Sequence, residues 1–303
     1  MRVVIALGGN ALLRRGEAPE IATQRRNVEL AVGSIAPIAR RHELVITHGN
    51  GPQIGLLALQ AAAYRDVRPY PLDLLGAESE GMVGYLLDLA LANALPGRDI
   101  ATLLTEIEVD PADPAFSVPT KPIGPLYSKG EAQLVAAEKS WTMVRDGNGW
   151  RRAVPSPAPR RICQIATIKL LLRGGVIAIC AGGGGIPVAI DAAGELRGVE
   201  AVIDKDLTAA LLAEALEAEW LLLLTDVAGV WPTWPVDEGS PIRATTPAQL
   251  RRFRFAEGSM GPKVEAACRF VERTGNQAGI GSINQSEAIL QGRAGTIVRP
   301  AGA

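Results

Sequence analysis

The sequence predicts an α/β fold in which a parallel sheet is covered by helices on both faces. Short apolar runs alternate along the chain with longer stretches of amphipathic, helical periodicity. The runs Val176–Cys180 and Trp220–Leu224 are apolar at every position, as expected for strands buried on both faces. Because parallel strands need crossovers about as long as a helix, the alternation favours right-handed β–α–β units.

Each strand assignment rests on a short, largely aliphatic run, and each helix assignment on apolar residues spaced three and four apart. The predicted strands are Val3–Leu7, Leu44–Thr47, Thr102–Val109, Val176–Cys180, Trp220–Leu224 and Ala278–Ile283. The predicted helices are Ile21–Ala39, Gln53–Tyr64, Ser79–Leu95, Ile162–Leu172, Asp206–Leu216 and Pro262–Arg273.

The first two strands each run into a glycine turn that precedes a helix. The turn residues are Gly8, Gly9 and Asn10 after the first strand, and Gly49, Asn50 and Gly51 after the second. Glycine lets the backbone approach a ligand closely, and the following helix adds the positive end of its dipole. Two such turns in one sheet indicate an enzyme that binds or transfers phosphate.

A third glycine run, Gly182 to Gly185, ends the strand Val176–Cys180. It has neither the Gly-Lys-Ser/Thr ending of a Walker A loop nor the glycine spacing of a dinucleotide fingerprint. On its own it predicts a flexible turn. Beside the first two turns, it favours a backbone that approaches phosphates at Gly183 and Gly184.

Two lysines stand near predicted helix starts. Lys205 lies between Asp204 and Asp206, and Asp206 is placed to cap the helix that follows. Such a charged run is typical of a solvated face or a cap. The functional alternative is that Lys205 bridges the oxygens of a transferring phosphoryl group while Asp206 fixes a lysine.

The second lysine, Lys263, follows Pro262 and falls in the first turn of its helix. A positive charge there is unfavourable by a few tenths of a kcal/mol, which suggests that an anion binds nearby. The alternative is a surface lysine. Gly258, Ser259 and Met260 precede it as a further candidate loop.

The segment from Asp110 to Pro159 interrupts the α/β rhythm, with eight of the 21 prolines and a hairpin signal at Asp146–Gly149. It predicts a lid or small subdomain, or else a long decorative loop. Within it, Lys121 is either a cation that reaches over an active site or an ordinary solvent lysine.

The run Leu221–Leu224 leads into Thr225 and Asp226, and Val230 follows shortly after. This strand end is suited to a nucleotide base or ribose, although a simple exit from the sheet has the same pattern.

Composition narrows the function classes. The net charge is −1, with 31 basic and 32 acidic residues, so no global field favours nucleic acid or an anionic membrane. No apolar run approaches the roughly 18 residues of a membrane span, and the N-terminal apolar run is too short for a signal sequence.

The three cysteines are not spaced as in a disulfide framework, which favours the reducing cytoplasm. Cys163 and Cys180 are expected to be buried structural thiols. No metal-ligand spacing stands out. His48 is expected to be structural rather than a general base.

Together these motifs resemble the carbamate kinases, which belong to the amino acid kinase family. The matching stretches are Ala6–Asn10, His48–Gln53, Asp110–Asp113, Thr120–Pro125, Val154–Pro157, Gly182–Val188, Gly198–Asp206 and Gly258–Ala266. Glycine turns alone fit several relatives, whereas Thr120–Pro125, Val154–Pro157 and Gly198–Asp206 are specific to carbamate kinases.

The resemblance implies a three-layer αβα sandwich around a mainly parallel open sheet of about eight strands, within a single domain over residues 1–303. Residues 1–180 would bind carbamate or carbamoyl phosphate and would include a protruding subdomain at 110–160. Residues 181–303 would bind the nucleotide.

The resemblance also implies roles for particular residues. Lys205 and Lys263 match two phosphoryl-stabilising lysines, Asp206 the acidic residue that organises them, and Lys121 a subdomain lysine that points at the site. The turn residues Gly8, Gly9, Asn10, Gly49, Asn50 and Gly51, with Gly183 and Gly184, match the substrate and phosphate turns. Thr225, Asp226, Val230, Gly258, Ser259 and Met260 would contact the nucleotide.

The implied reaction is reversible, Mg²⁺-dependent phosphoryl transfer between ATP and carbamate, with Mg²⁺ held mainly by the nucleotide phosphates. A cytoplasmic homodimer that forms ATP in arginine catabolism is expected, although purine- or cyanate-linked pathways stay open. One alternative is a related kinase that phosphorylates another carboxylate or a phosphate monoester. Another is a non-catalytic nucleotide sensor, which the presence of Lys205 and Lys263 disfavours.

Overall fold

The computed structural model describes residues 1–13, 16–18, 20–64, 66, 68–232, 240–255, 258 and 260–302, without the side chains of residues 10 and 11. In chain order, the strands are β1 (Arg2–Leu7), β2 (Glu43–His48), β3 (Ile100–Leu103), β4 (Glu106–Val109), β5 (Lys121–Tyr127), β6 (Met143–Asp146), β7 (Gly149–Val154), β8 (Pro159–Ile162), β9 (Ile177–Cys180), β10 (Ile186–Ile190), β11 (Leu196–Gly198), β12 (Trp220–Thr225), β13 (Ala244–Thr245), β14 (Gln277–Ser282) and β15 (Thr296–Val298). The helices are α1 (Gly9–Leu12), α2 (Ile21–Ala39), α3 (Gly51–Ala63), α4 (Leu72–Ala94), α5 (Lys129–Lys139), α6 (Ile165–Arg173), α7 (Lys205–Ala215), α8 (Pro247–Leu250), α9 (Met260–Thr274) and α10 (Ser286–Leu290). Short 3-10 turns lie at Pro114–Phe116, Gly182–Gly184 and Ile283–Gln285.

An eight-stranded sheet with the order β13–β15–β14–β12–β1–β2–β9–β3 forms the centre of the molecule. Its neighbours pair in parallel except β14 and β15. Leu7 at the end of β1 pairs with Leu224 on one side and His48 on the other. The carboxyl ends of β12, β1 and β2 therefore meet at one edge, where the predicted turns follow.

Helices cover both faces of this sheet. On one face, α7 and α9 pack over the strand side chains Val4, Ala6, Leu221 and Leu223. On the other, α2 and α4 pack over Val3, Ile5 and Leu7. The alternation of neighbouring β1 residues between the two cores confirms the predicted three-layer αβα arrangement around a mainly parallel sheet of eight strands.

The predicted strand Thr102–Val109 is wrong as a single element. It divides into β3, at the edge of the central sheet, and β4, in a second sheet of order β11–β10–β4–β8. Thr105 is buried at the division, and its N–H donates to the Glu80 carboxylate at 3.3 Å. Its hydroxyl donates to the carbonyl of Leu103 at 2.8 Å. Side chains thus satisfy the backbone where the chain changes sheet.

The predicted helix Ile162–Leu172 also needs correction at its start. Ile162 ends β8, and α6 begins at Ile165. Cys163 lies between the two elements and is only half-buried, whereas Cys180 is buried as expected. The strands β10, β11, β13 and β15 were not predicted, because they have two to five residues and give little periodic signal.

The interruption after β4 contains a structured unit rather than a loop. Its sheet has the order β5–β7–β6, and the predicted hairpin at Asp146–Gly149 joins β6 to β7. Ile123 and Val154 from this sheet share a small core with Ile54 of α3. A Cβ atom at Gly55 would lie 2.4 Å from the Cα of Gly124, so the glycine permits a close contact between α3 and β5. We refer to β5, β6 and β7 as the three-stranded sheet.

Among the helices of the described residues, none combines the length and apolar character needed to cross a bilayer.

Candidate active site

A cavity of about 570 Å³ opens at the carboxyl edge of β1, β2 and β12. It is lined by the turns after these strands and after β9, by the N-terminal ends of α7 and α9, by the start of β5, and by residues 231–232 and 254–255. Of the predicted site residues, it brings together Gly8, Gly9, Gly49, Asn50, Gly51, Lys121, Gly183, Lys205, Asp206, Thr225, Asp226, Gly258, Met260 and Lys263. The sequence predicted these groups from separate motifs, and the fold places them around one space.

One carboxylate joins the two predicted catalytic lysines. Lys205 Nζ donates to Asp206 Oδ1 at 2.8 Å, and Lys263 Nζ donates to Asp206 Oδ2 at 2.8 Å. Lys205 and Asp206 begin α7, while Lys263 lies in the first turn of α9, which starts two residues earlier than predicted. Asp206 is 3% exposed and Lys263 8% exposed. A shared anion therefore holds two ammonium groups side by side at the cavity wall.

The N-cap of α7 is Asp204, so the prediction that Asp206 caps this helix is wrong. Asp204 Oδ1 accepts hydrogen bonds from the N–H groups of Asp206 and Leu207. The second oxygen, Asp204 Oδ2, accepts from Lys121 Nζ at 2.8 Å. The cap position thus leaves Asp206 in the first turn, where its side chain is directed to the lysines.

The charges in this cluster alter one another's ionisation. Burial lowers the pKa of Lys205 to about 8, and repulsion by Lys263 adds to this, although attraction to Asp206 opposes it. Burial would also lower the pKa of Lys263, but Asp206 outweighs burial and raises that pKa above the ordinary lysine value. Burial raises the pKa of the Asp206 carboxyl, yet the two ammonium groups overcome it and leave the pKa below its usual range.

Asp204 is ionised for a similar reason. Burial raises the pKa of its carboxyl, but the ammonium groups of Lys121 and Lys205 outweigh burial and hold the pKa well below the ordinary value. The cluster therefore contains two carboxylates and three lysines. The lysines outnumber the carboxylates, which suits the cavity to bound anions.

The glycine turns bring the backbone close together at the cavity floor. A Cβ atom at Gly49 would lie 2.7 Å from the backbone nitrogen of Gly9 and 3.3 Å from Lys205 Cε. The N–H groups of Gly8 and Gly49 donate to Leu224 and Leu7, continuing the sheet. These two glycines therefore let neighbouring backbones approach closely, but their own N–H groups are already bonded within the sheet. Any backbone N–H that a bound anion accepts from must come from the helix starts that follow them.

The third glycine run forms a tight turn against the second. Gly183 has a φ of +69°, and a Cβ atom there would lie 2.1 Å from Asn50 Nδ2. Gly184 does not line the cavity, because it packs against the backbone of Ile203, whose oxygen would lie 2.4 Å from an added Cβ. Only Gly183 of this pair lies on the cavity wall.

Known proteins resemble this chain closely in sequence and in fold. The family model described as the amino acid kinase family matches residues 1–282. A carbamate kinase of Haemophilus influenzae is 54% identical over 297 residues, covering 98% of this chain and 96% of that protein. The structure of carbamate kinase from Giardia lamblia bound to citric acid superimposes with a TM-score of 0.92 at 40% identity, covering 99% of this chain and 98% of the other. The same enzyme bound to AMP-PNP gives a TM-score of 0.89 at 39% identity, with the same coverage of both chains.

The chain belongs to the amino acid kinase family. The family resemblance and the fold expected from it are thereby confirmed. For the individual residues of this amino acid kinase, the assignment to the site is based on their positions in the cavity.

The predicted nucleotide residues of this amino acid kinase divide into two groups. Thr225, Asp226, Gly258 and Met260 line the cavity, together with Trp231, Arg254 and Phe255, which the sequence did not single out. Val230 is instead buried, pairs with Ile242, and donates its N–H to Thr296 Oγ1 at 2.8 Å. Ser259 and the side chain of Asn10 lie outside the described residues.

Glu80 of α4 is a residue that sequence reasoning missed. It is 1% exposed, and its carboxyl oxygens accept from the N–H groups of Gly182 at 2.8 Å and Thr105 at 3.3 Å. Burial raises the pKa of this carboxyl to about 8. Glu80 fixes the start of the glycine turn next to the cavity. A signal was available, since Val83, Leu87 and Leu91 follow Glu80 at the helical spacings of three, seven and eleven residues and are all buried.

His48 has the structural character that the sequence suggested. It is fully buried at the end of β2, and burial lowers its pKa to about 4. The imidazole is therefore neutral at physiological pH and lies against Gly182 rather than on the cavity wall.

Proposed function

We propose that this amino acid kinase is a carbamate kinase, which reversibly transfers a phosphoryl group between ATP and carbamate to give ADP and carbamoyl phosphate. The observation that carries the proposal is the pair Lys205 and Lys263 on Asp206, at the wall of one cavity that glycine turns line. The similarity to proteins named carbamate kinase over nearly the whole chain supports this choice of acceptor.

The chemistry explains why cations rather than a base surround the cavity. A carbamate oxygen is already anionic, so it attacks the γ-phosphorus without losing a proton. The bond from phosphorus to the oxygen that bridges the β- and γ-phosphates breaks, and ADP leaves with that electron pair. Because the reacting groups are all anionic, the barrier lies in bringing them together and spreading the charge.

The residues on the cavity wall meet these requirements. In this mechanism the ammonium groups of Lys205 and Lys263 contact the oxygens of the transferring phosphoryl group and stabilise the charge that develops there. Asp206 keeps the two ammonium groups oriented, and Lys121 adds a third cation from β5. The close backbone at Gly9 and Gly49 leaves room for the phosphate chain. Thr225, Asp226 and Met260 would contact the nucleotide.

The donor set fits a Mg²⁺ ion that is held mainly by nucleotide phosphates. Asp204 and Asp206 already bind lysines, and the described residues contain no cluster of three or more acidic, histidine or cysteine side chains suited to a metal. Phosphate oxygens would supply the main ligands, with the Asp226 carboxylate on the cavity wall as a further oxygen donor. The ion would neutralise phosphate charge during transfer.

The proposal extends to organisation and location. We assign carbamate and carbamoyl phosphate to residues 1–180, including the subdomain at 110–160, and the nucleotide to residues 181–303. A cytoplasmic enzyme that serves arginine catabolism is consistent with nucleotide substrates and with the free thiols of Cys163, Cys180 and Cys268.

An exposed apolar face supports the proposal of a homodimer. Tyr85 and Leu89 lie one turn apart on α4, and Leu104, beyond the edge strand β3, packs near Gly81 of the same helix. All three large side chains are exposed. Such a patch is typical of an interface between protein chains. Light scattering would test this through the molar mass in solution, where a monomer at micromolar concentration would contradict it.

The reaction itself is tested by following ATP formation from ADP and carbamoyl phosphate in the presence of Mg²⁺. We expect turnover that depends on both substrates, because carbamoyl phosphate is a mixed anhydride that phosphorylates ADP readily. Acetyl phosphate and the phosphorylated products of other amino acid kinases serve as comparison donors. Failure to form ATP from carbamoyl phosphate, with turnover of another donor, would favour the related kinase instead.

A further inference from the structure

The three-stranded sheet is fastened to one stretch of chain, residues 200–204, which leads directly into Lys205. Arg152 of β7 pairs with Glu200 at 3.1 Å, and Lys121 of β5 pairs with Asp204 at 2.8 Å. Between these ion pairs, the N–H of Val202 donates to the carbonyl of Pro155 at 2.9 Å. The position of the three-stranded sheet is therefore tied to the start of α7.

The two ion pairs differ in their relation to the cavity. Lys121 and Asp204 both line it, and their side chains are 25% and 17% exposed. Neither Arg152 nor Glu200 lines it, and the Glu200 side chain is 51% exposed. The first pair acts at the cavity, whereas the second fastens the three-stranded sheet away from it, and Glu200 Oε2 also accepts from the N–H of Leu72 at the start of α4 at 2.8 Å.

Asp204 performs two tasks with its two oxygens. Oδ1 caps α7, which fixes the helix turn that carries Lys205 and Asp206. Oδ2 holds the ammonium of Lys121, which comes from a different sheet 83 positions earlier in the chain. A long lysine side chain has many rotamers in solution, so a fixed partner at the cavity reduces the entropy lost when Lys121 is used.

We propose that Asp204 is a positioning residue that holds the Lys121 ammonium at the phosphoryl-transfer site while it caps the helix carrying Lys205. This inference rests on the proposed function, because it assigns Lys121 to the same reaction. It also explains why an acidic side chain stands on the wall of a cavity built for anions, where its charge by itself opposes substrate binding.

The substitution Asp204→Asn separates the two tasks. Asparagine is as good an N-cap as aspartate, so α7 keeps its cap, but the neutral amide no longer holds Lys121 as an ion pair. We expect kcat for ATP formation to fall roughly 10- to 100-fold, the range of coupling between residues in one charged network. KM for carbamoyl phosphate should stay level or fall, because the substitution removes a negative charge from the anion site.

A double-mutant cycle tests whether Asp204 acts through Lys121. We expect Lys121→Met to lower kcat at least as much as Asp204→Asn, and the double variant to be no slower than Lys121→Met alone. Glu200→Gln is the matched control, since it weakens the other ion pair on the same stretch and should leave kcat near the wild-type value. Losses that multiply in the double variant, or a normal kcat in Asp204→Asn, would overturn the proposal.

A ligand-free measurement keeps this inference distinct from the proposed function. Lys121 can be labelled with acetic anhydride and its acetylation rate read by mass spectrometry. Asp204→Asn should raise that rate severalfold, while Glu200→Gln should not. If the wild-type protein forms no ATP from carbamoyl phosphate, the proposed function fails and labelling still tests the pairing. An unchanged labelling rate in Asp204→Asn would overturn the pairing itself.

Discussion

At the scale of single residues, the site depends on one buried carboxylate between two ammonium groups. Two unpaired lysines at this burial would repel each other and shed protons, and Asp206 offsets both effects. Local pattern was sufficient to single out Lys205 and Lys263, since each stands at a predicted helix start. It could not separate the roles of Asp204 and Asp206, because both fall within the range of an N-cap and only the fold decides which carboxylate joins Lys205 to Lys263.

The lowered pKa of Lys205 predicts the pH dependence of catalysis. Only the ammonium form can stabilise phosphoryl charge, and this form is lost as pH rises through the pKa of about 8. We therefore expect kcat/KM for carbamoyl phosphate to decline above about pH 8. The corresponding decline in kcat should occur at higher pH, because the phosphates of the bound substrates stabilise the ammonium form of Lys205.

Lys205→Arg is the matched variant for this prediction. A guanidinium stays charged throughout the accessible range, so whatever activity the variant retains should show no decline near pH 8. Steady-state rates between pH 6 and 10 measure both profiles. A wild-type kcat/KM that stays level through this range would contradict the assignment.

At the scale of elements, the site is made where strands end and glycines let backbones meet. The sequence predicted all three turns from apolar runs followed by glycine. It could not predict which glycines lack room for a side chain, since Gly183 is constrained by Asn50 from another strand end and Gly184 by Ile203 from the approach to α7. The same dependence on distant neighbours explains the strand predicted at Thr102–Val109, which Glu80 of α4 helps divide.

Gly183→Ala tests the role of the third turn. The new Cβ atom would meet the Asn50 amide at 2.1 Å in a backbone with positive φ, so Asn50 must move from the cavity wall. We expect a large loss of kcat/KM for carbamoyl phosphate. Gly194→Ala is the control, because its φ is +81° but its Cβ would lie in open space.

The control variant Gly194→Ala should lose only about 1–2 kcal/mol of unfolding free energy, because alanine is strained at a positive φ. Its kcat and kcat/KM should be normal. Chemical denaturation and steady-state kinetics on both variants give the comparison. Equal effects of the two substitutions on kcat/KM would show that backbone strain, rather than the contact with Asn50, is responsible.

At the scale of the whole molecule, one wall of the cavity comes from the start of β5, in a small unit that packs on α3 and on residues 200–204. The alternation of apolar runs with stretches of helical periodicity predicted the layers of the central sandwich. The high density of prolines predicted that the segment Asp110–Pro159 lies outside this sandwich. Neither feature could show that Gly55 and Gly124 touch, because that contact joins α3 to a separate sheet 69 positions away. This docking brings Lys121 to the cavity.

Gly55→Ala should therefore lower activity from outside the cavity. Its Cβ atom would lie 2.4 Å from Gly124 Cα and displace β5, at a cost of about 1–3 kcal/mol in unfolding free energy. We expect kcat to fall roughly tenfold or more, since small displacements of a catalytic group are costly. Gly33→Ala, in an exposed position of α2 with open space around it, should stabilise the protein and leave kcat unchanged. A normal kcat in a destabilised Gly55→Ala variant would contradict this account of docking.

The central claim is that two ammonium groups held by Asp206 carry the phosphoryl transfer. Its most direct test is the kcat for ATP formation from ADP and carbamoyl phosphate in Lys263→Met, measured beside Lys129→Met, which removes an exposed lysine of α5. The account predicts a loss of about 10²–10³-fold in Lys263→Met and none in the control, with both proteins folded by circular dichroism. A folded Lys263→Met protein that turns over at the wild-type rate would contradict it.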